Sequence, residues 1–191
     1  MIVGVSGGSG FIGQALISKL INIETVTEIR VLINKTDIKP HKKLKKFRVN
    51  LLDKNIELKD FFKDVVIFYN CASEINCEEL MYSLHVNSLK KMIKTIYNKN
   101  LRWVQLSSAG VYGNHKTGMI EECSAINPAN EYERTKALAD IEIQNTKLSY
   151  IILRPSILFG NGTRSKSLLN LIRIVKKGFF IRIGKQNTIL N

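Results

Sequence analysis

Short apolar runs alternate along the chain with stretches that have helical spacing. Runs rich in β-branched and aromatic residues, typical of buried strands, occupy 2–6, 28–33, 65–70 and 102–106. Apolar positions recur every three or four residues over 11–20 and 86–97, which predicts amphipathic helices. Weaker patterns predict strands at 47–51 and 150–153, helices at 56–62, 132–146 and 167–177, and a basic loop or short helix at 34–46.

This alternation predicts an α/β fold in which helices cover both faces of a parallel sheet. Because crossovers between parallel strands are right-handed, the doubly wound parallel sheet of a Rossmann fold is the expected topology. The chain has 191 residues, of which 45% are hydrophobic and 24% charged, so it can bury such a core without disulfides.

A glycine-rich turn joins the first predicted strand to the first predicted helix. Gly7, Gly10 and Gly13 have the spacing G-x-x-G-x-x-G, with Phe11 and Ile12 in the last gap. Glycines suit a turn at which a pyrophosphate approaches backbone N–H groups, and the helix N-terminus adds its positive dipole end. We therefore predict a dinucleotide site here, with a glycine-rich turn that binds no ligand as the alternative.

The end of the second predicted strand bears on which dinucleotide binds. An acidic residue that holds the ribose 2′-hydroxyl commonly stands there, whereas this chain has Asn34 and then Lys35. Asn34 can still hydrogen-bond a ribose without repelling a 2′-phosphate, and Lys35 can neutralise one. The pair shifts the expectation toward NADP over NAD, with a solvated basic loop as the alternative.

Serine, tyrosine and lysine residues later in the chain form a second candidate site. Ser107 and Ser108 follow a buried strand, the place where ligands bind in doubly wound sheets. The i, i+4 spacing puts Tyr132 and Lys136 on one face of the predicted helix. A nearby ammonium favours the phenolate and lowers the pKa of Tyr132, and a serine hydroxyl can share the same substrate oxygen. The set predicts proton transfer beside a hydride acceptor.

Together these motifs resemble those of the extended short-chain dehydrogenase/reductase family, the NAD(P)-dependent nucleotide-sugar epimerases and dehydratases. The matching stretches fall in the family's order along essentially the whole chain: GGSGFIG (7–13), NCAS (70–73), VN (86–87), SSAGVYG (107–113), NP (127–128), YERTK (132–136) and LRPSILFGNG (153–162). The resemblance implies an oxidoreductase-type enzyme that acts on a nucleotide sugar, as an epimerase or a keto-sugar reductase. A non-catalytic dinucleotide-binding module without a complete substrate site is the alternative.

The resemblance also implies roles for individual residues. Tyr132 would be the catalytic acid/base, Lys136 would also hold the nicotinamide ribose, and Ser108 would orient the reacting oxygen. Asn50, followed by Leu51, occupies the family's adenine-contacting acidic position. The other cofactor-binding residues that the resemblance implies are Ala72, Ser73, Asn87, Ser107, Pro155 and Ser156.

Departures from the family pattern narrow the expectation. Dehydratases of the family carry an Asp-Glu pair directly after the catalytic Ser/Thr, and Ala109 and Gly110 stand there, which argues against 4,6-dehydratase chemistry. Family members also continue well beyond the length of this chain. We therefore expect an NAD(P)-binding Rossmann domain at 1–161 and, at 162–191, the start of a truncated, incomplete substrate-binding region.

The net charge of +13 is concentrated in two segments. Residues 35–48 carry a net +6 and residues 162–191 a net +7, so the rest of the chain is neutral. In the family these segments lie near the adenosine end of the cofactor and near the substrate diphosphate. Because no aromatic residues interleave with the charges and no nucleic-acid-binding module is evident, we expect no nucleic acid partner.

The cysteines and the hydropathy bear on compartment and partners. Cys71, Cys77 and Cys123 show neither metal-ligand spacing nor a disulfide framework, and no stretch approaches the ~20 apolar residues of a membrane helix. We therefore expect a cytoplasmic homodimer with a nucleotide-sugar or related small-molecule substrate, no bound metal and no membrane partner.

Overall fold

The described part of the chain is built around one parallel sheet. The computed structural model describes residues 1–98, 100–113, 119–160, 162 and 166–179. The strands are β1 (Ile2–Ser6), β2 (Glu28–Ile33), β3 (Leu44–Arg48), β4 (Val65–Asn70), β5 (Arg102–Leu106) and β6 (Ser149–Leu153). They pair in the order β3-β2-β1-β4-β5-β6, and every pairing is parallel. This is the Rossmann order, with its reversal between β1 and β4, so the predicted fold is confirmed.

Helices and short helical turns connect these strands. The helices are α1 (Phe11–Leu20), α2 (Lys59–Phe62), α3 (Glu78–Tyr82), α4 (Ser88–Lys94), α5 (Glu131–Gln144) and α6 (Lys166–Lys176). A π-helical turn at Ser83–Asn87 joins α3 to α4, and a 3-10 turn spans Ala109–Tyr112. A π turn is rare and often accompanies a functional site.

The third strand differs from its prediction. The sequence predicted it at 47–51, but β3 is Leu44–Arg48 and pairs with β2 from Ile29–Leu44 to Ile33–Arg48. As an edge strand of the sheet, β3 tolerates Lys45 and Lys46, which precede the apolar residues on which the prediction relied.

An aromatic cluster fixes α2 to one face of the sheet. Its rings pack edge to face with centroids 4.7 to 5.8 Å apart, a favourable arrangement. Trp103 is fully buried, and its indole N–H donates to Gln105 Oε1 at 2.9 Å. The cluster consists of Phe47, Phe61, Phe62, Phe68 and Trp103.

The chain divides into two compact units, Met1–Pro155 and Ser156–Asn191. The first unit holds the whole sheet, and the second holds α6. The division into domains after residue 161 stays a prediction. Among the described residues, no helix has both the length and the apolar character that crossing a membrane requires.

Candidate functional site

Three buried polar side chains link the carboxyl ends of β1, β4 and β5. Ser6 Oγ donates to Asn70 Oδ1 at 2.6 Å, and Asn70 Nδ2 donates to Gln105 Oε1 at 2.9 Å. Ser6 Oγ also accepts the N–H of Ala72 at 3.2 Å. These bonds hold the loops after β1 and β4 side by side where the strand order reverses, which is where ligands bind in such sheets. The sequence analysis did not single out Ser6 or Gln105, whose position at strand ends is the signal that could have found them.

The glycine-rich turn packs tightly against the loop that follows β4. Gly7 has a φ of +64°, and a Cβ there would lie 2.7 Å from backbone atoms of Cys71 and Ala72. A Cβ on Gly13 would lie 2.2 Å from the carbonyl oxygen of Gly7. The fold itself therefore requires glycine at both positions.

Packing restricts Gly10 less than it restricts Gly7 and Gly13. It precedes α1 with a φ of −75°, which any residue can adopt. Within the described residues, a Cβ on Gly10 would have one atom within 4 Å, the Gly7 carbonyl oxygen at 3.1 Å. No described side chain caps α1, whose first N–H groups lack intrahelical partners. The space beside Gly10 therefore lets an anion approach those N–H groups, so the turn fits a pyrophosphate.

A cleft of about 390 Å³ runs along these loops. Eight of the predicted cofactor-binding residues line it: Gly7, Gly10, Asn34, Lys35, Asn50, Leu51, Ala72 and Ser73. The sequence analysis missed its apolar wall, to which Leu32, Val49 and Leu84 contribute. The structure thus brings the residues predicted for the two ends of an adenosine diphosphate into one cleft.

Hydrogen bonds organise the end of the cleft beside β2. Asn34 Nδ2 donates to Asn50 Oδ1 at 3.4 Å, and Asn50 Nδ2 donates to Asp53 at 2.7 Å. Lys46 donates to Asp37 at 2.8 Å, and this hydrogen bond is the main cause that lowers the pKa of Asp37. Lys46 is therefore committed to an ion pair, whereas Lys35 is exposed and lines the cleft.

Tyr132 and Lys136 lie on one face of α5, as predicted, with Lys136 Nζ 5.8 Å from the Tyr132 ring centroid. Lys136 is only 2% exposed, and its Nζ donates to the Leu106 carbonyl at the end of β5 at 2.9 Å. Burial lowers the pKa of Lys136 to about 8 and raises the pKa of Tyr132 above its ordinary value. The expectation that the pKa of Tyr132 is lowered is wrong for this structure, because the cost of burying the phenolate outweighs the opposing influence of the neighbouring Ser73 hydroxyl.

Ser108 stands at the carboxyl end of β5, where its Oγ accepts the N–H of Gly110 at 3.1 Å. That bond uses a lone pair and leaves the hydroxyl hydrogen for another acceptor. The N–H of Ala109 donates to the Pro155 carbonyl at 2.9 Å, which ties this turn to the segment after β6. Ser108 is therefore held at the same strand end whose Leu106 carbonyl holds Lys136.

Ser107 belongs to a buried network. Its Oγ donates to Asp140 Oδ2 at 2.8 Å, and Arg154 Nε donates to the same oxygen at 3.0 Å. Arg154 Nη1 also donates to the Tyr112 hydroxyl at 2.6 Å. The Ser107 hydroxyl hydrogen is thus engaged inside the domain, and its contact with a cofactor stays a prediction. The sequence analysis missed Asp140 and Arg154, which meet from different elements.

The structure also describes the positions of the other predicted cofactor-binding residues. Phe11 and Ile12 begin α1, and Asn87 ends the π-helical turn. Pro155 ends the first compact unit and Ser156 begins the second. Their contacts with a cofactor stay predictions.

A histidine that the sequence analysis did not select lies beside Tyr132. The ring of His85 packs edge to face against the Tyr132 ring, with centroids 5.7 Å apart. Its Nε2 accepts the N–H of Glu74 at 3.0 Å and lies 3.1 Å from Ser73 Oγ. Its Nδ1 lies 2.8 Å from Thr135 Oγ1. Burial is the main cause that lowers the pKa of His85 to about 3, so the ring is neutral.

Comparison with solved structures supports the fold. UDP-glucuronic acid 4-epimerase from Bacillus cereus, in complex with NAD, superposes with a TM-score of 0.79 at 18% sequence identity. The match covers 93% of this chain and 63% of that chain. At this identity the likeness shows the fold alone.

Sequence comparison then shows the family. The chain is 28% identical over 187 residues to "Putative UDP-glucose 4-epimerase" of Methanocaldococcus jannaschii, across 89% of this chain and 60% of that protein. It is 30% identical over 143 residues to ADP-L-glycero-D-manno-heptose-6-epimerase of Brachyspira hyodysenteriae, across 69% of this chain and 45% of that protein. The chain therefore matches 45% to 60% of the length of these relatives. Residues 3–187 match a family model, and the chain belongs to the NAD dependent epimerase/dehydratase family.

Proposed function

We propose that this chain binds NAD or NADP in the cleft along the glycine-rich turn and acts in an enzyme that transforms a nucleotide sugar. The observation that carries the proposal is the open space at Gly10, beside the uncapped first turn of α1. A cofactor pyrophosphate has the charge and the size for that position. The adenosine end would then lie toward Asn34 and Asn50, which line the same cleft.

In the proposed reaction the side chains of the protein transfer a proton and no hydride. When bound, the nicotinamide cofactor supplies a hydride acceptor or donor. As the phenolate, Tyr132 takes the proton of a sugar hydroxyl during oxidation, and as the phenol it returns a proton during reduction. Ser108 donates its free hydroxyl hydrogen to the reacting oxygen, and Lys136 contributes a positive charge beside the phenol. The same groups serve an epimerase and a keto-sugar reductase.

Cofactor binding is tested with Gly10→Val. The added side chain fills the space beside α1, so we expect calorimetric titration to show much weaker binding of NAD and NADP. The matched control is Ala15→Val, which adds similar bulk at an exposed position of the same helix and keeps wild-type affinity. If wild type binds neither dinucleotide, or if Gly10→Val binds as well as the control, the proposed site is wrong.

The proton-transfer role is tested with Tyr132→Phe. We expect turnover of a uridine diphosphate sugar to fall by a factor of about 10² to 10⁴, with the cofactor affinity unchanged. Turnover that persists in this variant contradicts the role of Tyr132. Cofactor binding by wild type without turnover of any nucleotide sugar supports the alternative, a non-catalytic dinucleotide-binding module.

For the cofactor itself, we propose a preference for NADP over NAD. The support is the amide of Asn34 in place of a carboxylate, together with the exposed Lys35 beside it in the cleft lining. Asn34→Asp should weaken NADP far more than NAD, because a carboxylate repels the 2′-phosphate. Lys39→Ala, which removes an exposed charge of the same loop, is the control. Equal loss of both cofactors in Asn34→Asp contradicts the preference.

The proposed substrate and assembly rest on the family resemblance. Much of the basic segment 162–191, expected near a substrate diphosphate, lies outside the described residues. A nucleotide-sugar substrate, a homodimer and a cytoplasmic location stay predictions. Analytical ultracentrifugation at several protein concentrations tests the dimer.

A further inference from the structure

We propose that His85 is a positioning residue whose ring joins the wall of the cofactor cleft to the helix that carries Tyr132. The ring bonds Ser73 and Glu74 on its cleft side and Thr135 on its helix side, and we call this arrangement the His85 bridge. The inference rests on the proposed function, in which Tyr132 exchanges a proton beside a cofactor in the cleft. It adds to that function the group that keeps the cleft wall and Tyr132 at a fixed separation.

On its cleft side the ring holds the loop that follows β4. His85 Nε2 accepts the backbone N–H of Glu74 at 3.0 Å, and Ser73 Oγ lies 3.1 Å from the same nitrogen. Both residues line the cleft. Glu74 Oε1 in turn accepts the N–H groups of Ile75 and Asn76 at 2.9 and 2.8 Å. Holding Glu74 therefore also holds the turn that follows it.

On its helix side the ring contacts α5 at two residues. His85 Nδ1 lies 2.8 Å from Oγ1 of Thr135, which is fully buried. Thr135 Oγ1 is also within hydrogen-bond distance of two carbonyls of its own helix, those of Glu131 at 2.9 Å and Tyr132 at 3.0 Å. The His85 ring packs nearly perpendicular to the Tyr132 ring, with centroids 5.7 Å apart. The bridge thus ends directly at the side chain of Tyr132.

The bond to Glu74 fixes which nitrogen of His85 carries the hydrogen. A backbone N–H can only donate, so Nε2 presents a lone pair and has no hydrogen. In the neutral ring the hydrogen is then on Nδ1, which donates it to Thr135 Oγ1. The hydroxyl hydrogen of Thr135 remains for a carbonyl of α5. One tautomer therefore satisfies both sides of the bridge.

The surroundings of His85 keep its ring neutral. Burial and the positive charge of Lys136 lower the pKa of His85 to about 3, and the carboxylates of Glu74 and Glu131 oppose them only in part. The donor and the acceptor of the bridge therefore keep their roles near neutral pH. The π-helical turn Ser83–Asn87 carries the ring to its place between the loop and α5.

The first experiment is NMR of the ¹⁵N-histidine-labelled chain near neutral pH, without cofactor or substrate, with His85 assigned from His85→Phe. We expect the hydrogen of the ring on Nδ1 and none on Nε2. Nuclear Overhauser effects should connect the His85 ring with the Tyr132 ring. A hydrogen on Nε2 overturns the proposal, because the N–H of Glu74 would then lack its acceptor. Absence of the effects between the rings overturns it as well.

The second experiment is hydrogen exchange at the backbone amide of Glu74. His85→Phe keeps an aromatic ring beside Tyr132 but removes both nitrogens. We expect exchange at Glu74 to accelerate about tenfold or more, because the N–H loses its acceptor. The amides of β4 report any global loss of stability, and their exchange should change less than that of Glu74. Equal acceleration at all these amides would show loss of stability alone and overturns the proposal.

Changes at Thr135 test whether the two sides of the bridge are joined. Thr135→Val removes the hydroxyl that holds Nδ1, so exchange at the Glu74 amide should also accelerate and the effects between the two rings should weaken. Thr135→Ser keeps the hydroxyl and should behave like wild type. Thr95→Val, which removes a hydroxyl bonded to its own helix at 2.8 Å, is the matched control and should leave Glu74 unchanged.

A double-variant cycle then shows whether Thr135 acts through His85. His85→Phe combined with Thr135→Val should exchange at Glu74 as fast as His85→Phe alone, because one bridge is removed only once. If the two changes add independently, or if Thr135→Val leaves Glu74 unchanged, the loop and α5 are not joined through His85 and the proposal is overturned.

These measurements separate the inference from the proposed function. They need neither cofactor nor turnover, so the bridge can be found in a chain that never acts on a sugar. A chain that turns over a uridine diphosphate sugar, but in which Thr135→Val leaves the Glu74 amide unchanged, would keep the proposed function and remove the role of His85.

Discussion

Mild acid should destabilise this chain through His85. In the folded chain burial, aided by Lys136, lowers the pKa of His85 to about 3 from an ordinary value of 6.5. As the pH falls below 6.5, the unfolded chain therefore takes up a proton that the folded chain refuses. The stability contributed by the neutral ring is present above pH 6.5 and is lost progressively between pH 6.5 and 3.

The size of the effect follows from the two pKa values. Each unit of pKa difference corresponds to about 1.4 kcal/mol. Between pH 7 and pH 5 the free energy of unfolding should fall by about 2 kcal/mol through His85 alone. This is a substantial part of the roughly 5–15 kcal/mol that stabilises a typical domain.

The assay compares urea unfolding of wild type and His85→Gln at pH 7, 6 and 5 and constant ionic strength. The pKa values of the Glu74 and Glu131 carboxylates are lowered in the folded chain. Groups that titrate in this range and are common to both proteins contribute mostly equally, so most of their effect cancels in the difference. We expect wild type to lose about 2 kcal/mol more than the variant between pH 7 and 5. A difference that does not change with pH would refute the reasoning.

Three further changes test the packing around the site. Gly13→Ala places a Cβ 2.2 Å from a backbone oxygen, so its melting temperature should fall well below that of Gly10→Ala, and equal melting temperatures would contradict this. Trp103→Ala empties a fully buried position and should cost about 3–5 kcal/mol in urea unfolding, with a loss under ~1 kcal/mol counting against the aromatic cluster. Asp140→Ala should cost about 3–5 kcal/mol, because it leaves the Arg154 guanidinium without its carboxylate, whereas Glu142→Ala, at a surface pair, should cost less than ~1 kcal/mol.

The sheet could be predicted where a strand has neighbours on both sides. The predicted bounds of β1, β2, β4 and β5 agree with the structure, because strands inside a parallel sheet need apolar residues on both faces. At the edge this requirement weakens, and the lysines of β3 obscured its position. The apolar sequence pattern of a strand therefore predicts its bounds best where the strand is most buried.

The candidate site also contains residues that a local sequence pattern predicts and residues that only the tertiary structure brings together. The glycine spacing of 7–13 and the i, i+4 pair Tyr132 and Lys136 are local patterns, and each lies where the sequence predicts it. The contact between Ser73 and His85 joins two elements, and it depends on a π turn that no apolar spacing indicates. Sequence reasoning could identify residues at a fixed spacing along the chain, but not the residues that contact them in the folded structure.

The protonation of Tyr132 shows why those neighbours decide the chemistry. Spacing alone places an ammonium near the phenol and predicts a lowered pKa, yet Lys136 is itself buried, with its pKa lowered to about 8. Burial of the phenol itself disfavours the phenolate and is the main cause that raises the pKa of Tyr132 instead. The neighbouring Ser73 hydroxyl opposes this rise in the pKa of Tyr132 only in part. The basicity of Tyr132 is therefore set by how its surroundings are packed, since the same two residues at the same spacing would titrate differently on an exposed helix.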